Sequence, residues 1–98
     1  MTKPVAALTA ADFEPLSGET FTVATGQGDL GLTLKEVRRL GTALREGGAF
    51  SLDYRSPPGP FLPQATYPIT HPALGTHELF IVPLGPKDGE NRYEIIFT

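Results

Sequence analysis

From Phe50 to Thr98 the chain alternates apolar and polar residues in four runs, FSLDYRS, QATYPITH, HELFIVPL and RYEIIFT, with turn-forming residues between them. Successive side chains of a strand point to opposite faces, so this alternation marks half-buried antiparallel strands. Phe50, Leu52 and Tyr54 form the inward set of the first run, and Ser51, Asp53 and Arg55 its outward set. Tyr67 and Ile69 alternate in the second, where Pro68, lacking an N–H, requires an edge position or a bulge. Leu79-Phe80-Ile81-Val82 is apolar on both faces, which predicts a central strand covered on both sides, with Phe80 in the core. Tyr93, Ile95 and Phe97 give the last strand its core face, after a turn at Lys87-Asp88-Gly89-Glu90-Asn91.

Thr9 to Phe13 predicts one helical turn, with Thr9 as N-cap and Asp12 three residues on, close to a capping box. Leu8, Phe13 and Leu16 would pin this segment over one end of the sheet. Phe21 to Val23 reads as a first strand, Gly26-Gln27-Gly28-Asp29 as a hairpin connection, and Leu30, Leu32 and Leu34 as the buried face of a second strand. Residues 35–46 admit two readings. Leu34, Val37, Leu40 and Leu44 recur at helical spacing, with Gly47-Gly48 to close a helix. The alternation through Leu34 favours instead a strand to about Arg39, with a β-bulge at Lys35-Glu36 that returns Val37 to the buried side, then a loop to Gly48. Ser56 to Pro63 contains four prolines and cannot be a central strand. It predicts a stiff, polyproline-like loop carrying Phe61 and Leu62.

At 98 residues the chain is one domain, residues 1–98, and its 40% hydrophobic and 19% charged content is that of a folded protein. The eleven glycines and ten prolines follow no collagen period and fit a fold rich in tight turns. A net charge of −3 argues against a nucleic-acid binder working by phosphate neutralisation. Lys35, Arg38, Arg39, Arg45 and Arg55 cluster, but Glu36, Glu46 and Asp53 lie among them. The absence of cysteine excludes disulfides, thiolate metal sites and cysteine nucleophiles. The apolar patch near the N-terminus is too brief for a secretory signal, and no run approaches a membrane helix, so the expectation is a cytoplasmic protein without membrane contact.

Candidate chemistry is sparse. His71, His77 and Glu78 have a zinc-type ligand chemistry. Against this, His77 and Glu78 are adjacent and point to opposite faces of a strand, and a His before Pro commonly bonds the turn backbone. Ser17, Ser51 and Ser56 lack a nucleophile-elbow context. Gly26-x-Gly28 followed by Gly31 has the outline of a phosphate loop, but a hairpin turn accounts for it. No catalytic residue, metal or cofactor is therefore expected. The Pro-rich loop is the best functional candidate, because prolines lower the entropy lost when a loop docks. Phe61 and Leu62 either face a partner or fold back, with Phe61 capping the open end of the barrel. Tyr54 and Tyr67 would lie near the same mouth.

The pattern Phe50-Ser51-Leu52-x-Tyr54-Arg55, then Leu62-Pro63-Gln64-x-x-Tyr67-x-Ile69-x-His71-Pro72-x-Leu74-Gly75, then Glu78-Leu79-Phe80-Ile81-Val82-Pro83 and Tyr93-Glu94-x-x-Phe97, resembles a bacterial family of domains of unknown function of about this length. Phe13-x-x-Leu16-x-Gly18-x-x-Phe21 belongs to the same pattern, so the resemblance spans nearly the whole chain. It implies an assembly or accessory role, because genes of this family often neighbour genes for phage-tail-collar or tail-fibre-like proteins. It brings no catalytic residue.

The expectation is thus an all-β domain, a small antiparallel barrel or sandwich of six to seven short strands with a short N-terminal helical turn. Its expected function is a non-enzymatic assembly or protein-interaction module that captures a protein partner or self-associates, a second copy completing an unassigned sheet edge. A small-ligand or carbohydrate-binding β module is the alternative.

Overall fold

The alternating runs become six antiparallel strands in a computed structural model that describes residues 8–26, 28–41, 48–58 and 61–97. They are β1 (Thr20–Thr25), β2 (Gly28–Gly41), β3 (Ala49–Ser56), β4 (Ala65–His71), β5 (Gly75–Lys87) and β6 (Glu90–Phe97). Their order across the sheet is β1-β2-β3-β6-β5-β4, and β4 returns to β1 through Thr22↔Thr70 and Val23↔Ile69, closing a barrel. Closure leaves no whole edge strand for a second copy to complete, which corrects that expectation. Pro68 lies one residue past the β1–β4 pairing, where β4 has already left its neighbour.

The ambiguous segment after Leu34 is a strand. Leu34 pairs with Tyr54 and Glu36 with Asp53, so Lys35 is an extra residue, and Val37 returns to pack against the core. The bulge is what lets one strand follow the barrel's curvature for 14 residues. Residues 42–47, where the loop was expected, lie outside the described residues, as does Gln27 of the first hairpin.

β5 is longer than its alternation suggested. Its first half pairs with β4 as far as Ala65↔Ile81, and its second half pairs with β6 from Val82↔Glu94 to Lys87↔Glu90. Pro83 and Pro86 fall in the second half, where β4 is no longer alongside and a missing ladder donor is tolerated. Asp88 and Gly89 close the β5–β6 hairpin with φ of 54° and 78°. Positive φ at both central residues is the turn that matches strand twist, which is why Asp-Gly stands there.

Inside the barrel lie Phe21, Val23, Leu32, Leu34, Phe50, Leu52, Tyr54, Ile69, Leu79, Ile81, Tyr93, Ile95 and Phe97, all buried. The N-terminal segment plugs one end. It comprises α1 (Ala10–Phe13) and a 3₁₀ turn over Glu14–Leu16. The Asp12 carboxylate accepts the Thr9 backbone N–H at 2.9 Å, the reciprocal half of a capping box. The Phe13 ring sits 6.2 Å from that of Phe21 and 5.8 Å from those of Phe50 and Phe97. Outside, the Glu14 carboxylate takes two hydrogen bonds from Arg39, at 2.9 and 3.1 Å, tying the plug to β2. That hydrogen bonding holds the Glu14 carboxyl below its ordinary pKa.

Phe80 is not in the core; half of its surface is exposed (50%). Leu79 and Ile81 point inward, so alternation turns Phe80 out, and nothing among the described residues covers the outer face of β5 there. Ile96 on β6 is equally exposed.

Candidate functional site

The described part of the Pro-rich loop, residues 57–58 and 61–63, lies at the end of the barrel opposite the helical plug, and Gly59 and Pro60 lie outside the described residues. Its two apolar residues part company. Leu62 is 4% exposed and joins the core, whereas Phe61 is 55% exposed. The lid is therefore Leu62, not Phe61, and Leu62 is withdrawn as a partner-facing residue. Three contacts fix this arrangement. The Leu62 N–H donates to the Tyr93 hydroxyl at 3.0 Å, the Tyr67 hydroxyl donates to the Pro63 carbonyl at 2.7 Å, and the Phe61 and Tyr93 rings lie 6.3 Å apart. With Leu62 buried and tied to Tyr93, and Pro63 tied to Tyr67, Phe61 is held outward at little further entropic cost.

Beside the loop the barrel wall is parted. β1 and β4 pair only at Thr22↔Thr70 and Val23↔Ile69, and beyond them Thr25 and Tyr67 diverge. The gap is a groove of about 380 Å³. The β1–β2 hairpin forms one wall with Thr25, Gly26, Gly28, Asp29 and Leu30, and the other is Phe61, Leu62, Pro63 and Tyr67. At Gly28, φ is 114° and open space lies where a Cβ would stand, so at that position the hairpin presents bare backbone. Phe61, Leu62 and Tyr67 thus line the same groove. The hairpin wall was invisible in sequence: its turn chemistry was readable, but its apposition to a loop more than thirty residues away was not.

Tyr54 does not join them. It is wholly buried, its ring 5.2 Å from Phe21 in an edge-to-face contact, and it lines the barrel interior rather than the mouth. The inward face it was assigned is correct; its expected place near the mouth is not. Burial pushes the Tyr54 hydroxyl pKa up, and that oxygen finds no hydrogen-bond partner among the described residues. Tyr54→Phe is therefore expected to leave stability unchanged or to raise it by up to ~1 kcal/mol, measured by urea unfolding. A loss larger than that would show that the hydroxyl is satisfied.

The histidines are built into a turn at the plugged end. His71 Nδ1 accepts the Ala73 N–H at 3.0 Å and its Nε2 lies 2.7 Å from the Glu19 carboxylate, which makes Nε2 the donor. His77 Nε2 donates to the Leu74 carbonyl at 2.8 Å, and Glu78 points to the other face of β5. Among the described residues no three His, Cys, Asp or Glu side chains converge as metal ligands. Of the basic cluster, Arg38 pairs with Glu36 at 2.7 Å, Arg39 with Glu14, and Arg55 with Asp53 and Glu90 at 3.7 and 3.8 Å, while Arg45 lies outside the described residues.

Among the described residues no helix is long and apolar enough to cross a membrane. Comparison with curated proteins and with solved structures finds no match. The model of one family matches residues 8–97, taking in the plug, all six strands and the groove. The chain belongs to that family, described as a domain of unknown function, DUF6916.

Proposed function

We propose that the protein is a non-enzymatic interaction module of the cytoplasm, docking a partner protein through the groove beside the Pro-rich loop. The observation that carries this reading is the division of labour between adjacent residues: Leu62 is buried as an anchor while Phe61 is held out beside an open groove. A large apolar side chain on a pre-ordered loop next to a cleft has the form of an interface hot spot. The partner is assigned to a phage-tail-like assembly by the family resemblance alone.

The test is Phe61→Ser, with a tail-type protein of the kind the family resemblance implies as partner. Circular dichroism and thermal melting should match wild type, and association followed by light scattering and titration calorimetry should weaken about tenfold or more. Undiminished association would overturn the reading. The groove's volume also favours a second reading, a small-ligand or carbohydrate site, since about 380 Å³ lies within the range of small-molecule pockets.

A further inference from the structure

Resting on the reading of the groove as a docking site, we infer that its occupant is an extended partner segment that places an arginine or lysine side chain between Asp29 and the rings of Phe61 and Tyr67. Asp29 is the sole charged residue among those lining the groove. Its carboxylate is exposed and makes no hydrogen bond or ion pair among the described residues. Three arginines elsewhere on the barrel are already engaged: Arg38, Arg39 and Arg55 each face a carboxylate within 4 Å, at 2.7, 2.9 and 3.7 Å, while Arg92 donates to the Gly85 and Leu84 carbonyls. Asp29 is a carboxylate with no cation beside it among the described residues, in a mainly apolar cleft whose other polar lining is Thr25, the Tyr67 hydroxyl and the glycine backbone.

That combination selects a ligand chemistry. Aromatic faces attract a cation through their quadrupole, and a carboxylate near them adds a charge-assisted hydrogen bond. The stem of a long basic side chain is apolar and suits the apolar surface that Leu30 and Phe61 give the groove. At Gly26 and Gly28 the hairpin leaves room for a chain to approach and not only a side chain. Gly26 and Gly28 have no Cβ, and open space lies where one would stand. The Thr25 hydroxyl is turned onto the Gly28 carbonyl, and the Tyr67 hydroxyl is spent on Pro63, so neither donor competes for Asp29. Asp29 would then set specificity and Phe61 affinity.

The experiment uses the whole chain, ¹⁵N-labelled, and a blocked pentapeptide of alanine with a central arginine; the control carries citrulline, which is isosteric and uncharged. Amide shifts are followed for Gly26, Gly28, Asp29 and Tyr67. The arginine peptide should shift these resonances saturably and bind about threefold to fivefold more tightly than the citrulline peptide. Asp29→Asn, an exposed change, should erase that difference and leave the melting temperature in place. Equal binding of the two peptides, or no groove shifts with either, overturns the inference. So does a monosaccharide probe that shifts the groove resonances when the arginine peptide does not. None of these results bears on Phe61→Ser against the protein partner, so the broader reading stands or falls separately.

Discussion

Replacing Phe13 by alanine is expected to remove about 3–5 kcal/mol of stability, a large share of what a domain of this size possesses. Phe13 is 1% exposed and touches rings from three strands, Phe21 of β1, Phe50 of β3 and Phe97 of β6. Truncation leaves a cavity that those strands cannot collapse into, because each is held by its ladder. Phe80→Ala is the control: the same atoms are deleted from a side chain half in water, and the loss should stay below about 1 kcal/mol. Urea unfolding of both variants decides the matter. A Phe80 variant as damaged as the Phe13 variant would mean that the outer face of β5 is covered.

The second large effect is expected at the other end of the barrel. Leu62→Ala should cost about 2–4 kcal/mol, since Leu62 is a core residue despite its place in a loop. Tyr93→Phe separates the two parts of that anchor. It keeps the ring but removes the acceptor of the Leu62 N–H, leaving a buried donor unpaired at about 1–3 kcal/mol. If Leu62→Ala melts with wild type, the loop is not fastened, and the presentation of Phe61 loses its basis.

Much of the barrel was legible because strand geometry imposes a period of two that survives tertiary detail. The alternation of Phe50, Leu52 and Tyr54 placed all three inside, and the phase change at Lys35 located a bulge against a competing helical reading. Where the period fails, so does the reading. A polyproline-like loop has no two-sided alternation, so nothing local says which of Phe61 and Leu62 turns inward; the Tyr93 hydroxyl, three strands later in the chain, decides it. Phe80 was misplaced for a different reason. Apolar residues on both faces of a strand show what could be covered, not whether a covering layer exists. The groove was illegible because it is made by the failure of two strands to pair, and unpaired backbone leaves no mark on side-chain pattern.

The brevity of the β1–β4 seam also bears on how the barrel resists aggregation. Two residue pairs hold this closure, against six between β1 and β2, so transient local opening costs least there. Each such opening turns a closed surface into one with exposed strand margins, the template on which foreign chains polymerise. Pro68 stands on the margin that would be bared, where it cannot donate to an intruding strand. Its value lies in those brief excursions: a gatekeeper at the weakest joint, guarding a state the protein visits and leaves.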